Sequence, residues 1–156
     1  MLGGAAAPDD CYLALRGLRT LPVRLARHQQ TALSVARRLQ DHPQVVRVLH
    51  PALPSCPGHD VWQRDFSGAN GLFSVVLKPA SRERLAAMLD GLRLFRMGYS
   101  WGGFESLVIP FDPRASRTAT AWTDPGLCLR LHCGLEDADD LIADLEAGLA
   151  RLGAAG

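Results

Sequence analysis

The stretch Leu127–Cys133 reads LCLRLHC, a strict alternation. Successive side chains of a β-strand point to opposite faces. Leu127, Leu129, Leu131 and Cys133 therefore share one face, and Cys128, Arg130 and His132 share the other. Gly134 ends the run. Glu136, Asp137, Asp139 and Asp140 follow, clustered at the start of a helix, the end that favours negative charge. Leu141, Leu145 and Leu149 then recur at i, i+4 and i+8, one face of that helix. A strand with one apolar face feeding an amphipathic helix calls for a sheet covered by helices.

The remaining segments agree. Val45–Leu49 (VVRVL) and Leu72–Leu77 (LFSVVL) are β-branched apolar runs and read as strands. Short strands are also expected at Leu94–Phe95 and at Leu107–Ile109, with Pro110 stopping the second. Asp9 and Asp10 open a short helix bearing Tyr12, Leu13, Leu15 and Leu18, which Gly17 weakens near its end. Thr20 is the expected N-cap of a longer helix reaching Asp41, with Pro22 in its first turn. Val23, Ala26, Leu33, Ala36 and Leu39 form its expected buried stripe. A helical turn is expected at Val61–Phe66. Ser81 is expected to cap a helix over Arg82–Leu92, with Leu85, Met88 and Leu89 turned inward. The class is α+β: long N-terminal helices, then a mainly antiparallel sheet covered by helices. The short connection from residue 95 to 107 is one reason to expect antiparallel pairing. By segment, 1–8 is a loop-like start, 9–42 linking helices, 43–151 an α+β domain and 152–156 a tail.

Composition excludes several classes. A net charge of +1 over 156 residues gives no nucleic-acid surface. All but one of the 17 Lys and Arg residues are arginine, so lysine chemistry can come only from Lys78. The four cysteines, Cys11, Cys56, Cys128 and Cys133, show neither C-x-x-C spacing nor a zinc pattern. No apolar run is long enough to cross a bilayer. The start MLGGAAAPDD carries no basic region and no apolar run of a secretory leader. A cytoplasmic chain with reduced thiols is the expectation. His50 and His59, in the proline-rich HPALPSCPGH, are expected at the surface.

The chemistry concentrates in LFRMGYSWGGFESLVIPFDP (94–113) and at Arg130. Ser100, Trp101 and Glu105 surround the twin glycines Gly102 and Gly103, a mixture that suits a pocket-lining loop as well as a tight turn between strands. Arg130 sits mid-strand, opposite the leucine face. Its planar fork matches a carboxylate through two parallel hydrogen bonds. If the Ser100 loop lies beside that strand, Ser100 and Arg130 form a small carboxylate cradle. The alternative is an internal salt bridge, for instance with Glu105.

The stretches 9–28, 45–78, YSWGGFESLVIPFDP (99–113) and LRLHCGLEDADDLIADLEAGL (129–149) together resemble, in order, the C-terminal part of the cystathionine β-lyase family. These are trans-sulfuration enzymes of the fold-type I pyridoxal-phosphate (PLP) class. γ-Synthases and γ-lyases typically read S-L-G-G where this chain has Ser100-Trp101-Gly102-Gly103, so Trp101 favours the β-lyase branch.

The resemblance implies the small C-terminal domain of such an enzyme. It implies β-elimination of cystathionine to homocysteine, pyruvate and ammonia, with PLP as cofactor, in methionine biosynthesis. Arg130 would bind the substrate α-carboxylate, and Ser100 and Trp101 would hold it and shape the pocket wall. The family's Schiff-base lysine, its aspartate facing the pyridine nitrogen, its ring-stacking tyrosine and its phosphate-binding loop all lie upstream of the matched stretches. Lys78 falls at a position that is not catalytic in the family. The chain is therefore expected to carry no covalent PLP and to be inactive alone. Two roles follow: an enzyme part that works with a large-domain partner or as a homo-oligomer, or a non-enzymatic remnant or interaction module that docks on a large domain. In either case the apolar stripes of the first helices are expected to be exposed and to drive self-association.

Overall fold

A computed structural model describes residues 4–153. In chain order its elements are α1 (Pro8–Arg19), α2 (Leu21–Gln40), β1 (Val45–Leu49), α3 (His59–Asp65), β2 (Leu72–Leu77), α4 (Arg82–Asp90), β3 (Arg96–Met97), β4 (Leu107–Phe111), a 3-10 turn (Pro113–Ala115), β5 (Cys128–His132) and α5 (Ala138–Gly153). The ends of the loop-like start and of the tail lie outside the described residues. Residues 4–7 are irregular, while α5 continues through Gly153 and buries Leu152.

The five strands form one sheet in the order β1-β2-β5-β4-β3. Three of its four pairings are antiparallel, so the fold is α+β with a mostly antiparallel sheet. The exception corrects an expectation: β3 runs parallel to β4, with Arg96 opposite Leu107. The short connection from 95 to 107 thus joins parallel strands. It can do so without a helix because β3 is only two residues long and the loop doubles back over the sheet. The edge strand is also displaced from Leu94–Phe95 to Arg96–Met97. Phe95 is buried instead, and the Asp144 carboxylate of α5 accepts from the backbone N–H groups of Arg93, Leu94 and Phe95 at 2.8, 2.8 and 3.1 Å. Those bonds use the donors that a strand would need. Pro110 does not stop β4, which reaches Phe111 with Pro110 opposite Leu129. β3 covers β4 only at Leu107 and Val108, so at Pro110 the strand is an edge and lacks no partner for want of an N–H.

One face of β5 is as its alternation predicts. Leu129, Leu131 and Cys133 lie in the core with Phe73, Val75 and Leu77 of β2. α5 lays Leu141, Leu145 and Leu149 on them, and α4 adds Met88. Ser81 Oγ accepts from Arg84 N, the expected cap of α4. α2 differs from expectation. Its buried stripe is His28, Thr31, Ala32, Val35, Ala36 and Leu39, whereas Val23 is 73% exposed and Ala26 is exposed too. Only the C-terminal half of α2 lies over the sheet and α5; Gln29 marks the crossing, its Oε1 accepting from Ala69 N just before β2. Thr20 stands at the N-cap position, but its hydroxyl donates back to the Gly17 carbonyl rather than capping α2.

Among the described residues no helix is long and apolar enough to cross a membrane.

Candidate functional site

The face of β5 that carries Cys128, Arg130 and His132 is covered in two places. Around Cys128 the chain from residue 111 to 126 closes over the sheet. There the guanidinium groups of Arg47 and Arg117 lie 5.1 and 5.5 Å from the Trp122 ring centroid, and Asp124 pairs with Arg47. Around Arg130 and His132 the cover is the connection between β3 and β4, residues 98–106, which holds the twin glycines.

That connection is tied down along its length. Arg130 Nη2 donates to the Tyr99 carbonyl at 2.7 Å and more weakly to that of Gly98 at 3.5 Å. Gly102 N–H donates to His132 Nε2 at 3.1 Å, and the Gly103 carbonyl meets His28 Nε2 at 3.0 Å. Leu135 N donates to the Phe104 carbonyl. Ser106 donates from both N and Oγ to the Glu136 carboxylate, each at 2.8 Å, while its Oγ accepts from Gly134 N. Gly102 has φ +81°, a conformation that only glycine adopts at little cost.

Of the three site residues singled out in the sequence, Arg130 and Trp101 meet here, and Ser100 stands on the same loop. Arg130 lies under the loop with its Cζ 5.5 Å from the Trp101 ring centroid, within cation–π reach. Ser100 is exposed between Tyr99, whose carbonyl Arg130 holds, and Trp101, which is 59% exposed. The ion pair with Glu105 is not formed: Glu105 is exposed, and Arg130 bonds to backbone carbonyls. Those carbonyls and the indole orient the guanidinium and leave its other N–H groups without a partner among the described residues. A half-exposed, oriented fork of this kind can bind a planar anion through two parallel hydrogen bonds.

Two residues of the site were not singled out. His132 shares a strand face with Arg130, so its place was implicit in the alternation. His28 is 1% exposed and 5.1 Å from the His132 ring, edge to face; a histidine in an arginine-rich helix gives no local sign of this. Burial depresses the protonation of both rings below the usual histidine range. His50 also departs from expectation. It is fully buried rather than at the surface, its Nδ1 accepting from Ala52 N and its ring 5.6 Å from Phe73. His59 is half-buried, held by the Pro51 carbonyl and stacked on Trp62.

The profile of the Cys/Met metabolism PLP-dependent enzymes matches residues 1–150. The chain belongs to that family. Cystathionine β-lyase of Escherichia coli strain K12 is 51% identical over 156 aligned residues, covering 97% of this chain and 40% of the relative. L-alanine/L-glutamate racemase of Wolbachia pipientis wMel is 49% identical, covering 92% and 36%. A crystal structure of cystathionine γ-synthase from Xanthomonas oryzae pv. oryzae in complex with cystathionine is similar with a TM-score of 0.81 at 39% identity, covering 95% of this chain and 39% of that one. The chain thus spans about 40% of the length of the family members it matches.

The described residues do not fit the family's cofactor. The one lysine, Lys78, is exposed just beyond β2, where its N–H bonds to the Gln44 carbonyl. It stands four positions along that strand from Ser74, the residue opposite Arg130, and it borders a separate small cleft with Arg114 and Leu127. Among the described residues no lysine amine lies in the twin-glycine loop. Among the described residues no three His, Cys, Asp or Glu side chains cluster to hold a metal ion.

Proposed function

We propose that this chain supplies the substrate-carboxylate half of a cystathionine β-lyase-like active site. Arg130 binds the α-carboxylate of a sulfur amino acid such as cystathionine, Ser100 adds a hydroxyl donor, and Trp101 forms the wall and orients the guanidinium. The observation that carries this is the Arg130–Tyr99–Trp101 arrangement: a guanidinium oriented by backbone and indole, with its remaining donors free, beside an exposed serine. The large-domain part of the enzyme brings PLP and its lysine. The reaction served is β-elimination to homocysteine, pyruvate and ammonia, in the cytoplasm. The racemase relative supports the same cradle for other amino acids, because an α-carboxylate is common to all of them.

A second reading is favoured by α1. Tyr12, Leu13, Leu15 and Leu18 are 50–63% exposed, and Val23 at the start of α2 is 73% exposed. A row of apolar side chains of this size marks an interaction surface. On this reading the chain docks on a large domain, or on a second copy of itself, and adds nothing to turnover.

One experiment separates the two. The chain is mixed with PLP and a separately produced large-domain part of a cystathionine β-lyase, and pyruvate release from cystathionine is followed. The enzyme-part reading expects pyruvate from the mixture and none from either component. A complex that forms and stays silent supports docking alone. Pyruvate from the chain by itself, with an aldimine absorbance band, overturns its predicted inactivity.

A further inference from the structure

We propose that His28 and His132 are positioning residues for the carboxylate cradle, holding the Gly102–Gly103 segment by the Gly102 N–H and the Gly103 carbonyl and so fixing Trp101, and the loop that carries Ser100, against Arg130. The functional part of this proposal rests on the reading of Arg130 given above; the clamp itself does not.

The geometry assigns the two rings opposite roles. Gly102 N–H donates to His132 Nε2, so that nitrogen carries no proton. The neutral ring then keeps its proton on Nδ1. His132 Nδ1 is buried and has no partner among the described residues. A buried donor left unpaired destabilises a fold, and a backbone group usually finds a cheaper acceptor. Facing the Gly103 carbonyl, His28 Nε2 must instead be a donor. One imidazole accepts, the other donates, and the two rings touch at 5.1 Å between centroids. The sequence makes room for this: a Cβ on Gly71 would fall 2.4 Å from the Cys133 carbonyl and 3.0 Å from His132 Nδ1.

The roles respond differently to acid. A proton on His132 Nε2 removes the acceptor for Gly102 N–H. A proton added to His28 goes to Nδ1 and leaves its bond to Gly103 intact. The groups facing the pair are the Gly103 carbonyl and Glu136 before α5, which favour protonation of both rings, and Arg24 on α2, which opposes it at His28; Arg130 on β5 and His28 itself oppose it at His132. Burial is the largest influence on both and favours the neutral rings. The clamp is therefore complete at neutral pH and opens on the His132 side as the solution is acidified.

The test uses the 156-residue chain itself. Imidazole 15N NMR of the unmodified chain, in the solid state if it self-associates, reads the tautomers. The expected result is His132 protonated at Nδ1 and His28 protonated at Nε2. A proton on His132 Nε2 at pH 8 overturns the proposal, however the variants fold. Hydrogen exchange at Gly102, compared with the references Ser106, whose N–H is held by Glu136, and Gly134, whose N–H is held by Ser106 Oγ, is expected to accelerate about tenfold in His132→Ala, the loss of one ordinary hydrogen bond. His132→Gln, whose amide oxygen can reach the same N–H, restores protection. Unchanged exchange in His132→Ala overturns the clamp. His28→Leu is expected to shift the Gly103 carbonyl 13C resonance upfield, and no shift overturns the His28 half. Acetate added to the unmodified chain tests the cradle separately. If the Arg130 Nε–H resonance ignores acetate while the Gly102 results hold, the carboxylate reading falls and the clamp stands.

Discussion

Arg130 and Trp101 fix one another: the guanidinium carbon lies 5.5 Å from the indole centroid, and the same guanidinium holds the Tyr99 carbonyl two residues before the indole. The charge is thus oriented before any ligand arrives. Preorganisation of this kind lowers the ordering cost of binding.

Replacing Arg130 by Lys keeps the charge and loses the fork. In the reconstituted mixture, KM for cystathionine is expected to rise by roughly 10- to 100-fold, the worth of a charge-assisted hydrogen bond. Denaturant midpoints of the chain should hardly move, because Arg130 is half-exposed and pairs with no buried charge. A wild-type KM in the lysine variant contradicts bidentate carboxylate binding.

Acid should weaken the fold as well as the loop. Burial lowers the protonation of His28, His50 and His132 below the ordinary histidine value of about 6.5. In the unfolded chain they take up protons around 6.5, while the folded chain resists. The stabilisation is therefore complete above pH 6.5 and is lost as pH falls from there towards the lowered folded-state values. The slope is at most about 1.4 kcal/mol per pH unit for each histidine. Urea unfolding at pH 7.5, 6.5 and 5.5 checks this; a constant free energy across the series contradicts it.

How much was legible follows from the range of each interaction. LCLRLHC announces its strand, the core face of that strand and the side on which Arg130 stands, because alternation is a local property. The leucines of α5 and the Ser81 cap are local in the same way, and the structure keeps them. The stripe on α2 was misplaced towards Val23 and Ala26 because the sequence does not say where a helix begins to overlie a sheet. The parallel β3–β4 pair was illegible because two residues carry no periodicity. The histidine clamp was hidden for a further reason. His28 and His132 act on glycine backbone 75 and 30 residues away, and backbone groups leave no trace in side-chain patterns.

Asp144 is the side chain on which the site's frame most depends. Its carboxylate accepts three backbone N–H groups from residues 93–95 and is itself only 9% exposed. Asp144→Ala leaves those donors unpaired beside the core and should cost about 3 kcal/mol or more. Asp144→Asn keeps one acceptor oxygen and should cost less. Chemical denaturation of the two variants gives the ranking; equal stabilities of wild type and Asp144→Ala contradict it.

The thiols should separate by burial. Cys11 is exposed, Cys56 half-buried, and Cys128 and Cys133 are buried. Burial raises the Cys128 thiol to about 11 and Cys133 higher still, so neither presents thiolate at neutral pH. A coloured disulfide reagent should react at once with Cys11, slowly with Cys56, and with the other two only on unfolding. Rapid reaction of all four in native buffer contradicts this burial.

The apolar row on α1 and early α2 predicts behaviour in solution. Tyr12, Leu13, Leu15, Leu18 and Val23 are each at least half-exposed, and they make few contacts that hold the chain together. Water is a poor solvent for so much exposed apolar surface. The isolated chain should therefore self-associate in sedimentation velocity, more strongly as concentration rises. Leu15→Glu with Val23→Lys should shift it towards monomer. Because neither residue is buried, the denaturant midpoint measured at low concentration should change by less than about 0.5 kcal/mol in free-energy terms. The same double variant should weaken binding to the large-domain part in the mixing experiment, since one surface serves both contacts. A wild-type chain that stays monomeric at high concentration contradicts the first expectation. A double variant that still reconstitutes fully contradicts the second.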